Sequence, residues 1–138
     1  MGIKQISVFL ENTTGRLGEV TKTLAQAQIN IRAISVADTA EFGVLRLIVN
    51  DCETAISALN KSGFTTRVTD VAAVEIDDRP GSLAKIMEIF QNLKLNIEYL
   101  YASLEGKTGK AVVIFKLEDH ARGLQAVKEN GLNTVENF

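Results

Sequence analysis

An internal repeat limits the folds open to this chain more than any other feature. Residues 78–83 read Asp-Arg-Pro-Gly-Ser-Leu, and residues 12–17 read Asn-Thr-Thr-Gly-Arg-Leu. The offset between their glycines is 81 − 15 = 66, and the Asn-Ile pairs that follow, at 30–31 and 96–97, have the same offset (96 − 30 = 66). Repeats take precedence over length in predicting architecture, so the sequence predicts two similar units in place of one domain.

Each unit, 1–70 and 71–138, is predicted to follow the order β-α-β-β-α-β. Strands are indicated by alternating or β-branched apolar runs, and helices by apolar residues three and four apart. This order is typical of a four-stranded antiparallel sheet with both helices on one face, so we expect an α+β fold of two tandem ferredoxin-like units. The predicted strands are 3–10, 29–37, 44–50, 64–68, 72–76, 96–103, 110–117 and 132–135, and the predicted helices begin near residues 15, 51, 83 and 119.

Three local details follow from the helical patterns. Thr13 or Thr14 can cap the first helix. Leu17 and Leu83 begin apolar stripes that are predicted to face a core. The glycines that end the second helix of each unit have a larger offset, 131 − 63 = 68, so two residues were gained, and we expect them in the loop before the last helix.

Composition excludes several classes of protein. The chain is 46% hydrophobic and 23% charged, which is ordinary for a globular protein. Its net charge of −2 gives no electrostatic signature for nucleic acid or for an anionic membrane. A single cysteine excludes an internal disulfide, and there is neither a signal peptide nor a long apolar run. We therefore expect a soluble cytoplasmic protein.

The face of each predicted sheet that lies away from the helices is also apolar. A sheet that is apolar on both sides usually has its second face covered. We therefore expect sheets to pack against one another, either between the two units or between two chains, and we expect a homodimer. The residues on this outer face are Phe9, Val44 and Ile48 in the first unit and Val112 and Ile114 in the second.

The turn between the first strand and first helix of each unit can hold an anion. Helix N-termini carry unpaired N–H groups and partial positive charge, and Gly15 and Gly81 let that backbone approach a bound group. Pro80 has no N–H to satisfy, which suits a helix start. The expected ligand group is a carboxylate or phosphate. Asn30 and Asn96 begin an edge strand, where an amide offers both a donor and an acceptor to a zwitterion.

Together these residues resemble the ACT domain, a small ligand-binding regulatory module. Residues 78–83 and 96–97 match its turn and Asn-Ile strand start closely, and residues 12–17 and 30–31 match except that Thr14 replaces the proline. The resemblance covers the whole chain and implies a stand-alone tandem ACT protein. In this family, paired modules bind free amino acids at their interface. The implied function is a regulatory protein that senses a free L-amino acid.

The resemblance also implies which residues bind the ligand. Asn12 and Asp78 would contact its polar groups from the turns, facing Asn96 and Asn30, respectively, of the neighbouring module. Asp78 is charged where Asn12 is neutral, and Arg16 occupies the position of Ser82, so the two sites should be unequal. The implied site residues are Asn12, Thr14, Gly15, Arg16, Leu17, Asn30, Ile31, Asp78, Gly81, Ser82, Leu83, Asn96 and Ile97.

Other functions of this strand order fit the sequence less well. RNA-recognition modules present aromatic residues on their central strands, whereas Phe9 and Phe115 fall at mismatched positions of an acidic chain. Metal carriers of this topology need a pair of cysteines in the first loop, and neither turn contains one. The remaining alternative is a protein-interaction module that regulates a partner metabolic enzyme without binding a ligand.

An enzyme is not indicated. His120 is the only histidine, and it follows Asp119 at a predicted helix start, where a capping or solvated role is common. Cys52 lies at another helix start, which could lower its pKa, but its unit has no histidine to act as a base. Asp77 and Asp78 are adjacent in a turn, where side chains usually point apart. We expect no catalytic residue, no metal and no cofactor.

Overall fold

A computed structural model describes residues 2–11, 13–38, 42–104 and 106–137, which form seven strands and four helices. They divide into two units, Lys4–Thr69 and Asp70–Asn137, and the second also includes Gly2 and Ile3. Each unit follows the order β-α-β-β-α-β, so the predicted α+β fold of tandem ferredoxin-like units is confirmed. The elements are β1 (Ile3–Glu11), α1 (Arg16–Gln26), β2 (Ile31–Asp38), β3 (Phe42–Val49), α2 (Cys52–Lys61), β4 (Thr65–Asp77), α3 (Ser82–Asn92), β5 (Ile97–Ala102), β6 (Lys110–Leu117), α4 (His120–Glu129) and β7 (Asn133–Thr134).

In the first unit the strands lie in the order β2-β3-β1-β4, and β3 is antiparallel to both of its neighbours. The inward side chains of β1 (Ile6, Val8 and Leu10) form one apolar cluster with Val20 and Leu24 of α1 and with residues of α2. Both helices therefore cover the same face of the sheet. Full burial of each such side chain contributes about 1.5–3 kcal/mol.

The second unit repeats this arrangement with the order β5-β6-β4-β7. Its core contains an edge-to-face aromatic pair, Phe90 of α3 and Phe115 of β6, with ring centroids 5.3 Å apart. Gly123 lets α4 approach the sheet closely, because a Cβ atom there would collide with the side chain of Leu117. The core of this unit, like that of the first, lies between the sheet and its two helices.

The strands predicted at 64–68 and 72–76 are one strand. β4 runs without interruption from Thr65 to Asp77, so the first unit ends and the second begins within a single extended segment. The prediction of two separate strands was wrong because Thr69-Asp70 reads as polar punctuation, although neither residue prevents extended backbone. Because β4 is continuous, no flexible linker separates the two units.

The two residues gained in the second unit do not precede the last helix. The offset between the starts of β2 and β5 is 97 − 31 = 66, whereas it is 110 − 42 = 68 for β3 and β6 and 120 − 52 = 68 for α2 and α4. The gain therefore lies between β5 and β6, and the predicted position was wrong. A hairpin connection accepts extra residues at low cost, because neither the helices nor the core depend on its length.

Leu17 and Leu83 do not face the cores. Both are exposed, at 42% and 39% of their surface, whereas Val20 and Ile86, three residues later, are fully buried. Each leucine is the second residue of its helix, where the helix extends beyond the edge of the core. The periodic stripe predicts the face of the helix correctly but does not show where along the helix the core ends.

The outer face of each sheet is buried along part of its length in the single chain. Ile48, Val112 and Ile114 point away from the helix-side clusters and expose 5% of their surface or less. Phe9, at the other end of its sheet, is 42% exposed. No helix formed by the described residues is long and apolar enough to cross a membrane.

Candidate functional site

The two strand–glycine–helix turns have the same backbone hydrogen bonds. In the first unit, Thr13 N–H donates to the carbonyl of Glu11 at 2.8 Å, and Glu19 N–H donates to that of Gly15 at 2.9 Å. In the second unit, the residues at the repeat offset make the equivalent bonds, at 2.9 Å and 3.1 Å. Gly15 and Gly81 adopt nearly identical left-handed conformations, with φ of 89° and 90°. The repeat in sequence is therefore a repeat in backbone geometry.

The helices that follow these turns begin without a side-chain cap. Gly15 and Gly81 occupy the N-cap positions, so the prediction that Thr13 or Thr14 caps α1 was wrong. Within the described part of the chain, the N–H groups of the second and third residues of α1 and α3 have no backbone acceptor. By contrast, α2 and α4 are capped, because the side chains of Asp51 and Asp119 accept from the third residue of each helix. The uncapped starts leave N–H donors available to an anion.

A small surface cavity lies beside the turn of the first unit. Its volume is about 130 Å³. It combines the turn and the first helical residues with residues of β1, β2 and β3. The start of β3 lies opposite the end of β1, with Gly43 across from Leu10. The residues that line it are Leu10, Glu11, Thr13, Arg16, Leu17, Val36 and Gly43. Arg16 and Leu17 of the predicted site are therefore brought to one cavity within the first unit.

The Arg16 side chain is held at the edge of this cavity by two neighbours. Its guanidinium forms an ion pair with Glu19 at 2.7 Å. The same group lies 4.7 Å from the ring centroid of Phe64, a cation–π distance. These contacts keep a positive charge within reach of the helix start.

The turn of the second unit is more highly charged. Asp77 forms ion pairs with Lys110 and, at 3.4 Å, with Arg79. The hydrogen bond from Lys110 and its positive charge lower the pKa of the Asp77 carboxyl, and the same hydrogen bond and the negative charge of Asp77 raise the pKa of Lys110. Asp78 itself is exposed, and its N–H donates to the carbonyl of Gly109 at 2.9 Å. The side chain of Asp78 is thus at the surface.

The two asparagines lie at the opposite end of each sheet from the turns. Asn30 N–H donates to Asn50 Oδ1 at 3.0 Å, and Asn50 follows the last residue of β3. Gly43, at the turn, is seven residues before Asn50 (50 − 43), which corresponds to about 23 Å along a strand. The second unit has the same layout, because the carbonyl of Asn96 accepts from Glu118 while Lys110 lies opposite Asp77. Within one unit, therefore, a turn and its asparagine are too far apart to share a ligand.

Both asparagines are available for binding. They are exposed, and among the described residues neither side-chain amide has a hydrogen-bond partner. A β-bulge follows each one, at Arg32 in β2 and at Glu98 in β5, immediately after Ile31 and Ile97. A bulge redirects the backbone of an edge strand, so the strand changes direction at the same position after both Asn-Ile segments.

Cys52 and His120, the residues considered for catalysis, are each the first residue of a helix. Cys52 is half-buried against the first core, and this burial raises the pKa of its thiol, contrary to the lowering that a helix start could cause. His120 is the first residue of α4, and Asp119 is its N-cap. The described residues contain no group of three or more side chains able to hold a metal ion. Asn12 lies outside the described residues.

Sequence reasoning missed several contributors to the turns. Val36 and Gly43 line the cavity from β2 and β3, and Lys110 neutralises Asp77 from β6. None of them belongs to the repeat motif. They reach the turns only through strand pairing, which places the start of β3 or β6 beside the end of β1 or β4.

Comparison with known proteins places this geometry in a family. The family model of the ACT domain pair matches residues 1–138. A protein of known structure from Bacteroides thetaiotaomicron is 36% identical, with a TM-score of 0.92 over 98% of this chain and 92% of that one. The ligand-free regulatory subunit of aspartate kinase from Thermus thermophilus is 21% identical, with a TM-score of 0.68 over 91% of each chain. E. coli aspartokinase III, in complex with lysine and aspartate, is 15% identical, with a TM-score of 0.53 over 92% of this chain and 30% of that one.

A search of curated proteins found no match. The two aspartate kinase structures share the fold with this chain at low identity, whereas the family model covers every residue. The fold of each unit agrees with that family. The chain belongs to the family of ACT domain pairs, which are regulatory modules.

Proposed function

We propose that this protein is a regulatory protein that binds a free L-amino acid through its two ACT modules, residues 1–70 and 71–138. The observation that carries the proposal is the pair of matched turns. Each starts a helix at a left-handed glycine without a side-chain cap, and each leaves N–H donors for a carboxylate. Capped helices α2 and α4 indicate that this chain satisfies its other helix starts internally.

The second half of each site is proposed to come from another module. A turn and its own asparagine are about 23 Å apart, so a ligand that contacts both kinds of group must bridge two modules. We propose the pairings of Asn12 with Asn96 and of Asp78 with Asn30. The bridging module can belong to the same chain or to a second copy in a homodimer, and in either case the ligand couples two folding units.

The two sites are proposed to differ in affinity. Arg16, beside the first turn, adds a positive charge, whereas its counterpart Ser82 is neutral. The second turn contains the network of Asp77, Arg79 and Lys110, and Asp78 adds an exposed carboxylate. The two turns therefore present different sets of charges to an amino acid, and we expect the two sites to bind it with different affinities.

The structural neighbours support amino-acid regulation of an enzyme as the setting. E. coli aspartokinase III was solved with lysine and aspartate, and the Thermus thermophilus protein is a regulatory subunit. These two proteins resemble this chain in their fold. We propose by analogy that this chain regulates a metabolic enzyme in the cytoplasm.

Calorimetric titration of the full chain with the twenty amino acids tests the proposal. We expect at least one to bind, and we expect Asn30→Ala and Asn96→Ala to weaken binding about tenfold or more, because each removes hydrogen bonds to a charged ligand. Asn92→Ala is the control, since Asn92 is an exposed asparagine at the end of α3. Binding that survives both substitutions unchanged would remove the strand asparagines from the site.

A second candidate is a protein-interaction module that has no ligand. Phe42 at the start of β3 and Leu104 after β5 are 57% and 66% exposed, which favours contact with another protein. Failure of all twenty amino acids to bind, together with a stoichiometric complex with a co-purified enzyme, would support this candidate over the first.

A further inference from the structure

Gly43 lines the cavity of the first unit without adding a side chain to it. Side chains of β3 alternate between faces, and Leu45 and Leu47 point into the helix-side core. Gly43 falls on the same face, opposite Leu10. A side chain at residue 43 would therefore project into the cavity between the end of β1 and the first turn of α1.

Part of the wall of this cavity is apolar and open to solvent. Leu17 and Val36 are 42% and 50% exposed, although each lies beside buried apolar residues. Exposed apolar surface is unfavourable by about 25 cal/mol per Å², so an apolar group that covered both residues would be stabilised. The volume of about 130 Å³ is close to that of an apolar cavity of about 150 Å³ that holds benzene, which is room for a branched aliphatic side chain.

The charged residues of the cavity match the rest of such a ligand. Glu11 and Arg16 have opposite charges and line the same cavity, and an amino acid carries an ammonium and a carboxylate on one carbon. Apolar walls with a pair of opposite charges therefore suit a zwitterion with an aliphatic side chain better than a dicarboxylate or a diamine.

We infer that the first site is selective for amino acids with aliphatic side chains and that Gly43 sets the size it accepts. The inference rests on the proposed function, because it assigns a ligand class to the same turn. It goes further because it assigns the selectivity to three residues that do not belong to the repeat motif: Gly43, Val36 and Leu10.

The second unit differs at each of these positions. Ala111 replaces Gly43 opposite Ile76, and Ala102 replaces Val36. Its rim carries the ion pairs of Asp77 with Lys110 and Arg79 in place of an exposed apolar wall. Aliphatic selectivity is therefore assigned to the first site alone.

Calorimetric titration of the full chain with valine, leucine, isoleucine, alanine, aspartate and lysine tests the inference. We expect an aliphatic amino acid to bind most tightly. Gly43→Val should weaken binding of valine, leucine and isoleucine by about tenfold or more and that of alanine by less, because a few carbon atoms in an apolar pocket change affinity by that order. Ala111→Val, a substitution at the equivalent position of the second unit, should leave the preference unchanged.

A second pair of variants guards against a folding defect in Gly43→Val. Val36→Ala enlarges the cavity and should shift preference toward larger apolar side chains, whereas Val68→Ala removes another exposed valine elsewhere in the unit and should not. Binding of amino acids without any change of preference in Gly43→Val and Val36→Ala would overturn the inference and leave the proposed function intact. Failure of every amino acid to bind the unsubstituted chain would overturn both.

Discussion

Single residues determine how each of the four helices begins: an aspartate side chain caps α2 and α4, whereas a left-handed glycine precedes α1 and α3. Asp51 caps α2 with hydrogen bonds from the N–H and the hydroxyl of Thr54, at 3.2 Å and 2.7 Å. Gly15 and Gly81 begin α1 and α3 and provide no such acceptor. The sequence predicted the glycines as sites of close approach, but it also predicted a threonine cap, because a threonine beside a helix start usually serves as one. Which residue adopts the N-cap conformation depends on the turn as a whole.

The carboxylate of Asp51 makes stability depend on pH. Its hydrogen bonds from Thr54 lower its pKa below the ordinary value of 3.8, so its contribution is present above that pH and is lost as the pH falls through the lower pKa of the folded state. Asp51→Ala should lower the Tm at pH 7 by roughly 2–5 °C, and this difference should shrink below about pH 3.8. Thermal melts between pH 2.5 and 7 measure it.

Asp51→Asn is the matched control for this prediction. An asparagine caps a helix about as well as an aspartate but does not titrate, so its advantage over Asp51→Ala should persist at low pH. An advantage of the native aspartate over the alanine variant that stayed constant down to pH 2.5 would contradict the proposed role of the carboxylate.

At the scale of elements, the order and type of helices and strands could be predicted, but their limits could not. The apolar periodicity of β1 and α3 located both elements because a two-layer fold buries one face of each. The fusion of two predicted strands into β4 was missed, since continuity depends on pairing partners that are remote in sequence. The exposure of Leu17 and Leu83 was missed for a similar reason, because the edge of a core is set by the elements that pack there.

Two glycines of the α1 region should respond to the same substitution with opposite signs. Gly15 has φ of 89°, so Gly15→Ala should destabilise the protein by about 1 kcal/mol. This figure is the cost of placing an alanine in the left-handed conformation, less the stabilisation that comes from the reduced conformational freedom of the unfolded chain. Gly18 lies within the helix with open space around it, so Gly18→Ala should stabilise by about 0.5–1 kcal/mol. Urea unfolding measures both.

Equal effects of these two substitutions would contradict the left-handed start of α1. Gly81→Ala provides an independent check, because its φ of 90° and open surroundings match those of Gly15. The two left-handed glycines should behave alike, and Gly18 should differ from both.

At the scale of the whole molecule, duplication explains why the family could be recognised from the sequence. A single turn with glycine predicts little, but recurrence of the glycine, the leucine and the asparagine at one offset indicated a module, and the family model confirms it. The contributions of Gly43 and Val36 could not be predicted, because they depend on the register of β3 against its two neighbours. The proposed preference for one class of ligand depends on those same residues.

The central claim is that an amino acid binds at the uncapped helix starts, and an amide NMR titration tests it most directly. On addition of the tightest-binding amino acid, we expect the largest shifts at the N–H signals of residues 15–18 or 81–84 and at the side-chain amide of Asn96 or Asn30. Signals of the capped starts of α2 and α4 should move little, because Asp51 and Asp119 already occupy them. Saturable shifts confined to other surfaces, or no shift with any of the twenty amino acids, would contradict the claim.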